Sequence, residues 1–263
     1  MPFTAPAETF RQRLVGRQLL FAGWTSIGHP QITEALALSG VDFIGIDIEH
    51  STISLEQSQR IIAAAQAGGT VCLPRIASHN PEMIKRLLDS GAEGIIVPMV
   101  SSVDEVERIV SWIKYPPMGR RSFGVARAQT YGDGFDAYVR RWNELSSIII
   151  QIETVEGVEN IDKLLASGEV DGAMVGPYDL SGSLGIPGQI DHPRVREAAR
   201  HVVEACAKAC RACGTHLVDP DAVSMQQAIE DGYTFTVLSS DVFLLGTWAR
   251  KMRGAIRQVR GRR

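Results

Sequence analysis

Lysine is scarce in this chain. Only Lys85, Lys114, Lys163, Lys208 and Lys251 occur among 263 residues, and each falls in a helical pattern rather than at the end of a strand. Carbonyl chemistry through a Schiff base therefore has no candidate nucleophile, and enolate or carbanion chemistry here would need a metal instead. No apolar run approaches the roughly 18 residues that span a bilayer. The opening MPFTAPAETFRQRL has no apolar signal region before its first charges, which predicts a cytoplasmic protein. No G-x-G-x-x-G follows a strand-like run and no P-loop occurs, so dinucleotide and Walker-type phosphate sites lack their usual signal. The formal net charge of −3 weighs against nucleic acid as the main partner.

Cysteine is also sparse, at four residues. Cys206, Cys210 and Cys213 recur at i, i+4 and i+7 in EACAKACRACG, a spacing that places them on one helical face as small core residues. Cys210 and Cys213 form a C-x-x-C, but no second Cys/His pair accompanies it at zinc-finger spacing.

What is present is an alternation of strand and helix. Strands are predicted at 19–25, 42–48, 70–76, 94–100, 147–153, 172–177, 215–218 and 235–240. Amphipathic helices are predicted at 55–66, 81–91, 103–114 and 193–214. Gly40, Gly68, Gly91, Gly168, Gly214 and Gly232 read as helix stops before the next strand. Eight such units fit one (β/α)8 TIM barrel over residues 1–263, with a doubly wound open sheet as the structural alternative. Residues 116–146 hold no convincing strand, and a long connection inside a barrel is commonly functional. The basic ending RKMRGAIRQVRGRR reads as a solvated or subunit-packing tail rather than a nucleic-acid site.

Polar residues gather where the predicted strands end. The second run ends in Asp47-Ile48-Glu49-His50, the third in Pro74-Arg75-Ile76, the fifth in Gln151-Ile152-Glu153 and the sixth in Gly176-Pro177-Tyr178-Asp179. In a barrel these ends share the face on which active sites are built. Glu153 and Asp179, from neighbouring strands, suit a hard divalent cation such as Mg²⁺ or Mn²⁺. The plainer reading makes Glu153 a loop charge and Asp179 a helix N-cap. Arg75 is a fixed cation for a carboxylate or enolate oxygen, or else a structural ion pair. His50, an imidazole at a strand end, is the general-base candidate, against a satisfied loop histidine. Asp47 and Glu49 are expected to point in alternate directions, one of them orienting His50.

Six stretches, DIEH, PRI, LLDSGAEGIIVPMV, YPPMGRRSFG, QIETVEGVENIDKLL and VDGAMVGPYDLSGSLGIPG, together resemble the HpcH/HpaI aldolases, which are class II, metal-dependent pyruvate aldolases. The likeness runs from about residue 15 to residue 250. It implies reversible aldol cleavage of a 4-hydroxy-2-oxo acid to pyruvate and an aldehyde, with Mg²⁺, Mn²⁺ or Co²⁺ as cofactor. It further implies a homo-oligomer, usually a hexamer, in which a C-terminal helix over 247–263 packs on a neighbouring subunit. By the resemblance Glu153 and Asp179 are metal ligands, His50 the acid/base and Arg75 the holder of the pyruvyl oxygen. Gln151 lines the mouth, Asp89 acts across a subunit interface, and main-chain N–H groups around Tyr178 and Asp179 receive the carboxylate. Asp47 or Asp89 would assist His50. Tyr178, Ser122-Phe123 and the ending SSDVFLL depart from the commonest pattern, and His29 at the mouth has no assigned role. The rivals are a CoA-thioester lyase of the citrate or malyl type and a non-catalytic oxo-acid-binding barrel.

Overall fold

Eight parallel strands close into a barrel in chain order, with the last paired to the first. They are β1 Leu20–Thr25, β2 Phe43–Asp47, β3 Val71–Arg75, β4 Gly94–Val97, β5 Ser147–Ile152, β6 Gly172–Val175, β7 Ala212–Leu217 and β8 Phe235–Leu238. The structure is a computed structural model that describes residues 9–261, so the first eight residues of the predicted leaderless start lie outside the described residues, as do 262 and 263 of the tail. The barrel prediction holds and the open sheet does not.

Strand alternation sorts the apolar residues into two cores. Inward rows supply Leu20, Ala22, Phe43, Leu73, Ile96, Ile149, Met174, Phe235 and Val237, which fill the barrel. Outward rows supply Ile44, Ile46, Cys72, Ile95, Val97, Ile148 and Ile150, which pack against the surrounding helices. Each fully buried side chain of this size contributes roughly 1.5–3 kcal/mol. Phe10 and Leu14, from the helix Phe10–Val15, complete the inner core, with Phe10 edge-on to Phe43 at 5.3 Å. Arg11 on that helix reaches Asp171 at 2.8 Å.

Helix starts follow local chemistry. Ser54 with Gln57, and Ser102 with Glu105, form reciprocal capping boxes at Leu55–Ala67 and Val103–Ile113. Asn80 caps Pro81–Asp89, whose proline sits where no N–H is needed. His29, unassigned in sequence, caps Pro30–Ala37 by accepting from the Gln31 N–H at 3.3 Å. Residues 116–146 contain no strand, as predicted, and carry the helix Phe135–Leu145.

Several expectations are corrected. The predicted helix 193–214 ends at Lys208, and β7 begins at Ala212 rather than 215. The cysteines therefore do not share a helical face: Cys206 and Cys213 are buried on different elements, while Cys210 is exposed in the turn at φ +53°. Gly214 is a strand residue, and at Gly68 the left-handed turn falls one residue later, at Gly69. The last helix spans Asp241–Arg260, starting six residues before the expected 247. Its Leu244, Leu245, Trp248, Ile256 and Val259 are exposed. Asp241 at its start is buried and accepts from Thr25 Oγ1 at 2.8 Å and from the Ser26 and Ile27 N–H groups at 2.9 and 3.0 Å.

Candidate active site

The C-terminal ends of the strands bring charge to one mouth. Asp47 is the last residue of β2, on the inward row with Phe43 and Gly45, and Arg75 closes the inward row of β3. The two pair at 2.8 Å between Arg75 Nη2 and Asp47 Oδ1. Asp47 Oδ1 also accepts the His50 backbone N–H at 3.0 Å. Burial alone would raise the Asp47 carboxyl, but the Arg75 charge and the His50 N–H outweigh it and hold it below its ordinary value.

Glu49 does not point away from Asp47. Residues two apart along an extended chain share a face, and Glu49 Oε2, two residues beyond the end of β2, comes within 3.2 Å of Arg75 Nε and 3.7 Å of His50 Nε2. Two carboxylates thus flank one guanidinium, and Glu49 is the one beside the imidazole. Burial raises the Glu49 pKa despite Arg75. His50 has a side chain 65 % exposed, open to whatever enters the mouth. Trp24, last inward residue of β1 and nearly sealed, lies under Arg75 with the guanidinium carbon 5.1 Å from its ring centroid. The ring needs Gly45: a Cβ there would meet it at 2.2 Å.

Across the mouth, Glu153 is 3 % exposed, so it is not the solvent-facing loop charge of the plainer reading. Its Oε2 accepts the Met99 N–H at 2.9 Å and its Oε1 accepts from Gln151 Nε2 at 3.1 Å. Burial lifts its pKa to about 7, against the Met99 bond and with the charges of Glu49 and Asp179 adding to the rise. Gly176 leaves room for this carboxylate, since a Cβ would approach Glu153 Oε1 to 2.5 Å. Asp179 is exposed within the first turn of Pro177–Ser183; the N-cap position belongs to Gly176, so Asp179 is not the cap. The N–H groups of Tyr178 and Asp179 belong to that first turn, where helix geometry leaves donors open. Tyr178 stands exposed at the rim.

No cluster of three or more His, Cys, Asp or Glu side chains placed to hold a metal occurs among the described residues. Glu153 and Asp179 lie near enough for their charges to interact, however, and such a pair of carboxylates suits a divalent cation. Gln151 Oε1 is buried without a hydrogen-bond partner, and Glu153 carries a raised pKa beside the charges of Glu49 and Asp179. Such acceptor-rich, under-compensated chemistry is what a hard cation relieves.

Asp89 does not join this mouth. It ends the helix Pro81–Asp89 at the opposite face of the barrel, held by Arg121 at 2.6 Å. Phe123 stacks on Tyr115 at 4.8 Å. Two surface clefts, one around Asp104, Arg108 and Arg120 and one around Arg194, Glu197 and His201, touch none of the mouth residues. Sequence reasoning missed Trp24 and His216, both inside predicted strands. Counting by twos from Leu20 places Trp24 on an inward row, a signal available without the structure, whereas the row of His216 starts at Ala212, inside the segment predicted as helix.

Known proteins share this fold. The HpcH/HpaI aldolase/citrate lyase family matches residues 20–246. A 5-keto-4-deoxy-D-glucarate aldolase of Escherichia coli O6:H1 is 31% identical over 244 residues, 92% of this chain and 94% of the relative. The crystal structure of an HpcH/HpaI aldolase/citrate lyase family protein from Burkholderia cenocepacia J2315 superposes with a TM-score of 0.87 at 32% identity, covering 95% of this chain and 98% of that one. Citrate synthase SbnG superposes at 0.81 with 29% identity, covering 97% and 98%. No helix among the described residues is long and apolar enough to cross a membrane. With a closed eight-stranded barrel and a family match over nearly its whole length, this chain belongs to the HpcH/HpaI aldolase/citrate lyase family of aldolases and lyases.

Proposed function

We propose that the protein catalyses reversible, divalent-metal-dependent aldol cleavage of a 4-hydroxy-2-oxo acid into pyruvate, or a close 2-oxo acid, and an aldehyde. The observation that carries this reading is one mouth holding a clamped guanidinium opposite a buried and an exposed carboxylate, with an open imidazole between. A cation held by Glu153 and Asp179 would supply Lewis-acid stabilisation of charge developing on the 2-oxo oxygen.

The chain's own groups do the rest. Arg75, fixed by Asp47, Glu49 and Trp24, offers its remaining donors to the same oxygen without reorganising. Gln151 lines the floor beside Glu153, and the first-turn N–H groups at Tyr178 and Asp179 face the substrate carboxylate. In cleavage His50, backed by Glu49 and with Asp47 fixing its main chain, takes the C4 hydroxyl proton. The C3–C4 bond breaks, its electron pair passes to the enolate, and the aldehyde leaves. Protonation at C3 then gives pyruvate. In synthesis His50 returns its proton to the alkoxide.

The last helix supports an oligomer in this reading: Trp248, 62 % exposed with Leu244 and Leu245 beside it, offers an apolar face suited to a second copy of the chain, in a homo-oligomer such as a hexamer. Asp89, remote from its own mouth, would then serve a neighbouring one. The test is pyruvate methyl deuteration in D₂O with Mg²⁺ or Mn²⁺, followed by NMR. Exchange that EDTA abolishes supports the reading; no exchange with either metal favours a barrel that only binds oxo acids.

A further inference from the structure

The inward row of β7 runs Ala212, Gly214, His216. A Cβ at Gly214 would meet the Phe235 ring at 2.0 Å, so the strand is bare where Phe235 fills the barrel and carries a ring again one layer higher. His216 thus ends its inward row at the level where Trp24 ends that of β1 and Arg75 that of β3.

The imidazole is held on three sides. Its ring centroid lies 5.7 Å from Trp24 and 6.1 Å from Phe243, and Nε2 lies 3.1 Å from the Ser239 carbonyl oxygen. A carbonyl only accepts, so this contact assigns the proton to Nε2 and leaves Nδ1 as a bare lone pair. Ser239 is itself fixed for the task. It adopts φ +62°, a conformation uncommon for a residue with a side chain, while its N–H donates to Leu217 at 2.8 Å and its Oγ to Val218 at 2.8 Å. The departure SSDVFLL noted in the sequence therefore has a structural correlate, a turn that aims a carbonyl at His216. Burial lowers the pKa of the ring to about 4, with the nearby Arg75 charge acting in the same direction, so the acceptor stays available at neutral pH.

Among the described residues nothing hydrogen-bonds to Nδ1, and that atom is not among the sealed, unpaired polar atoms. An immobilised, neutral acceptor at the mouth is suited to a donor from the ligand. The Arg75 guanidinium nearby disfavours a cationic donor, which leaves a hydroxyl.

Resting on the aldol reading above, we infer that His216 is a specificity-determining residue whose Nδ1 accepts a hydrogen bond from a substrate hydroxyl, selecting hydroxylated 2-oxo acids or aldehydes over their deoxy counterparts. The hydroxyl can come from either half of the substrate, and the two sources are separable. Pairing pyruvate with glycolaldehyde against acetaldehyde tests the aldehyde half. Pairing acetaldehyde with hydroxypyruvate against pyruvate tests the 2-oxo acid half.

The wild type should prefer the hydroxylated partner in one arm. His216→Leu should lower that preference about tenfold, the scale of one hydrogen bond, chiefly through KM. His216→Asn, which restores a carbonyl acceptor, should recover part of it. No preference in either arm, or a loss in His216→Leu that is equal for hydroxylated and deoxy partners, overturns the assignment and makes the ring a packing residue. A second measurement needs no variant: ¹⁵N-resolved NMR of the ring that stays neutral at pH 5 should show its Nδ1 signal moving with hydroxypyruvate or glycolaldehyde but not with the deoxy partners, and an unmoved signal overturns the proposal. Pyruvate deuteration by the wild type reports on the aldol reading separately, so the two can fail independently.

Discussion

Arg75 is carried on Trp24: its guanidinium carbon stands 5.1 Å above the indole centroid while Asp47 and Glu49 hold its nitrogens at 2.8 and 3.2 Å. The indole in turn occupies space that only glycine leaves free at position 45. Gly45→Ala should therefore displace the ring and misplace the guanidinium, although residue 45 touches no substrate. Overpacking of this kind costs about 1–3 kcal/mol, and ångström-scale misplacement of a catalytic group about 10²-fold in rate. Denaturant unfolding and kcat/KM for aldol cleavage check both. A variant with normal kcat/KM would show that Arg75 does not depend on this support.

His50→Ala is expected to lower kcat by about 10²–10⁴-fold, the usual worth of general acid–base help. The side chain is 65 % exposed, so Tm should not move. A Mn²⁺ titration of the variant should match that of the wild type, since the proposed ligands are Glu153 and Asp179. Turnover equal to wild type would remove His50 from the mechanism.

Gly176→Ala tests the metal assignment from the backbone side. The added Cβ would sit 2.5 Å from Glu153 Oε1 and push the carboxylate off its position. Disturbing the support of a ligand typically costs 10–100-fold in affinity, and Mn²⁺ affinity measured by calorimetry should fall on that scale. An unchanged affinity argues that Glu153 is not a ligand.

Glu93 offers a pH test away from the mouth. It accepts the Cys72 N–H at 3.0 Å just before β4, and burial lifts its pKa from 4.5 to about 7. The fold therefore favours the protonated acid. Below about pH 4.5 both states hold the proton and there is no penalty. As pH climbs to about 7 the unfolded chain releases the proton first, and stability falls, by at most on the order of 3 kcal/mol. Above that pH the penalty is constant. Urea unfolding of wild type and Glu93→Gln at pH 5 and pH 8 should show the glutamine variant gaining relative to wild type at the higher pH. A gap that does not change with pH would refute this.

The barrel and most of its mouth were legible because parallel strands buried on both faces read as continuous apolar runs, and Asp47, Arg75, Gln151 and Glu153 break those runs at their ends. The start of β7 was not legible. Its alanines and cysteines continue the helical spacing of the segment before it, and the turn is made at Cys210 in a left-handed conformation that no glycine announces. The expectation that Glu49 points away from Asp47 misread the strand period, since residues two apart share a face, and both carboxylates reach Arg75. Trp24 and His216 were invisible as site residues because an aromatic ring inside an apolar run looks like core. Their contacts with Arg75 and Ser239 exist only once four distant strands are brought together.

The buried carboxylate of Asp241 gives the C-terminal helix a mechanical role. The same two oxygens that open this helix hold Thr25, Ser26 and Ile27, and Ser26 Oγ lies 3.4 Å from Asp47. The helix is thus moored to the loop beside the Arg75 clamp. In the oligomer proposed above, tension or slack where its apolar face meets a second copy would travel along that mooring to the mouth within a few bonds. In that proposed homo-oligomer, separating the copies should consequently cost catalytic competence at dilutions where the barrel itself is still folded.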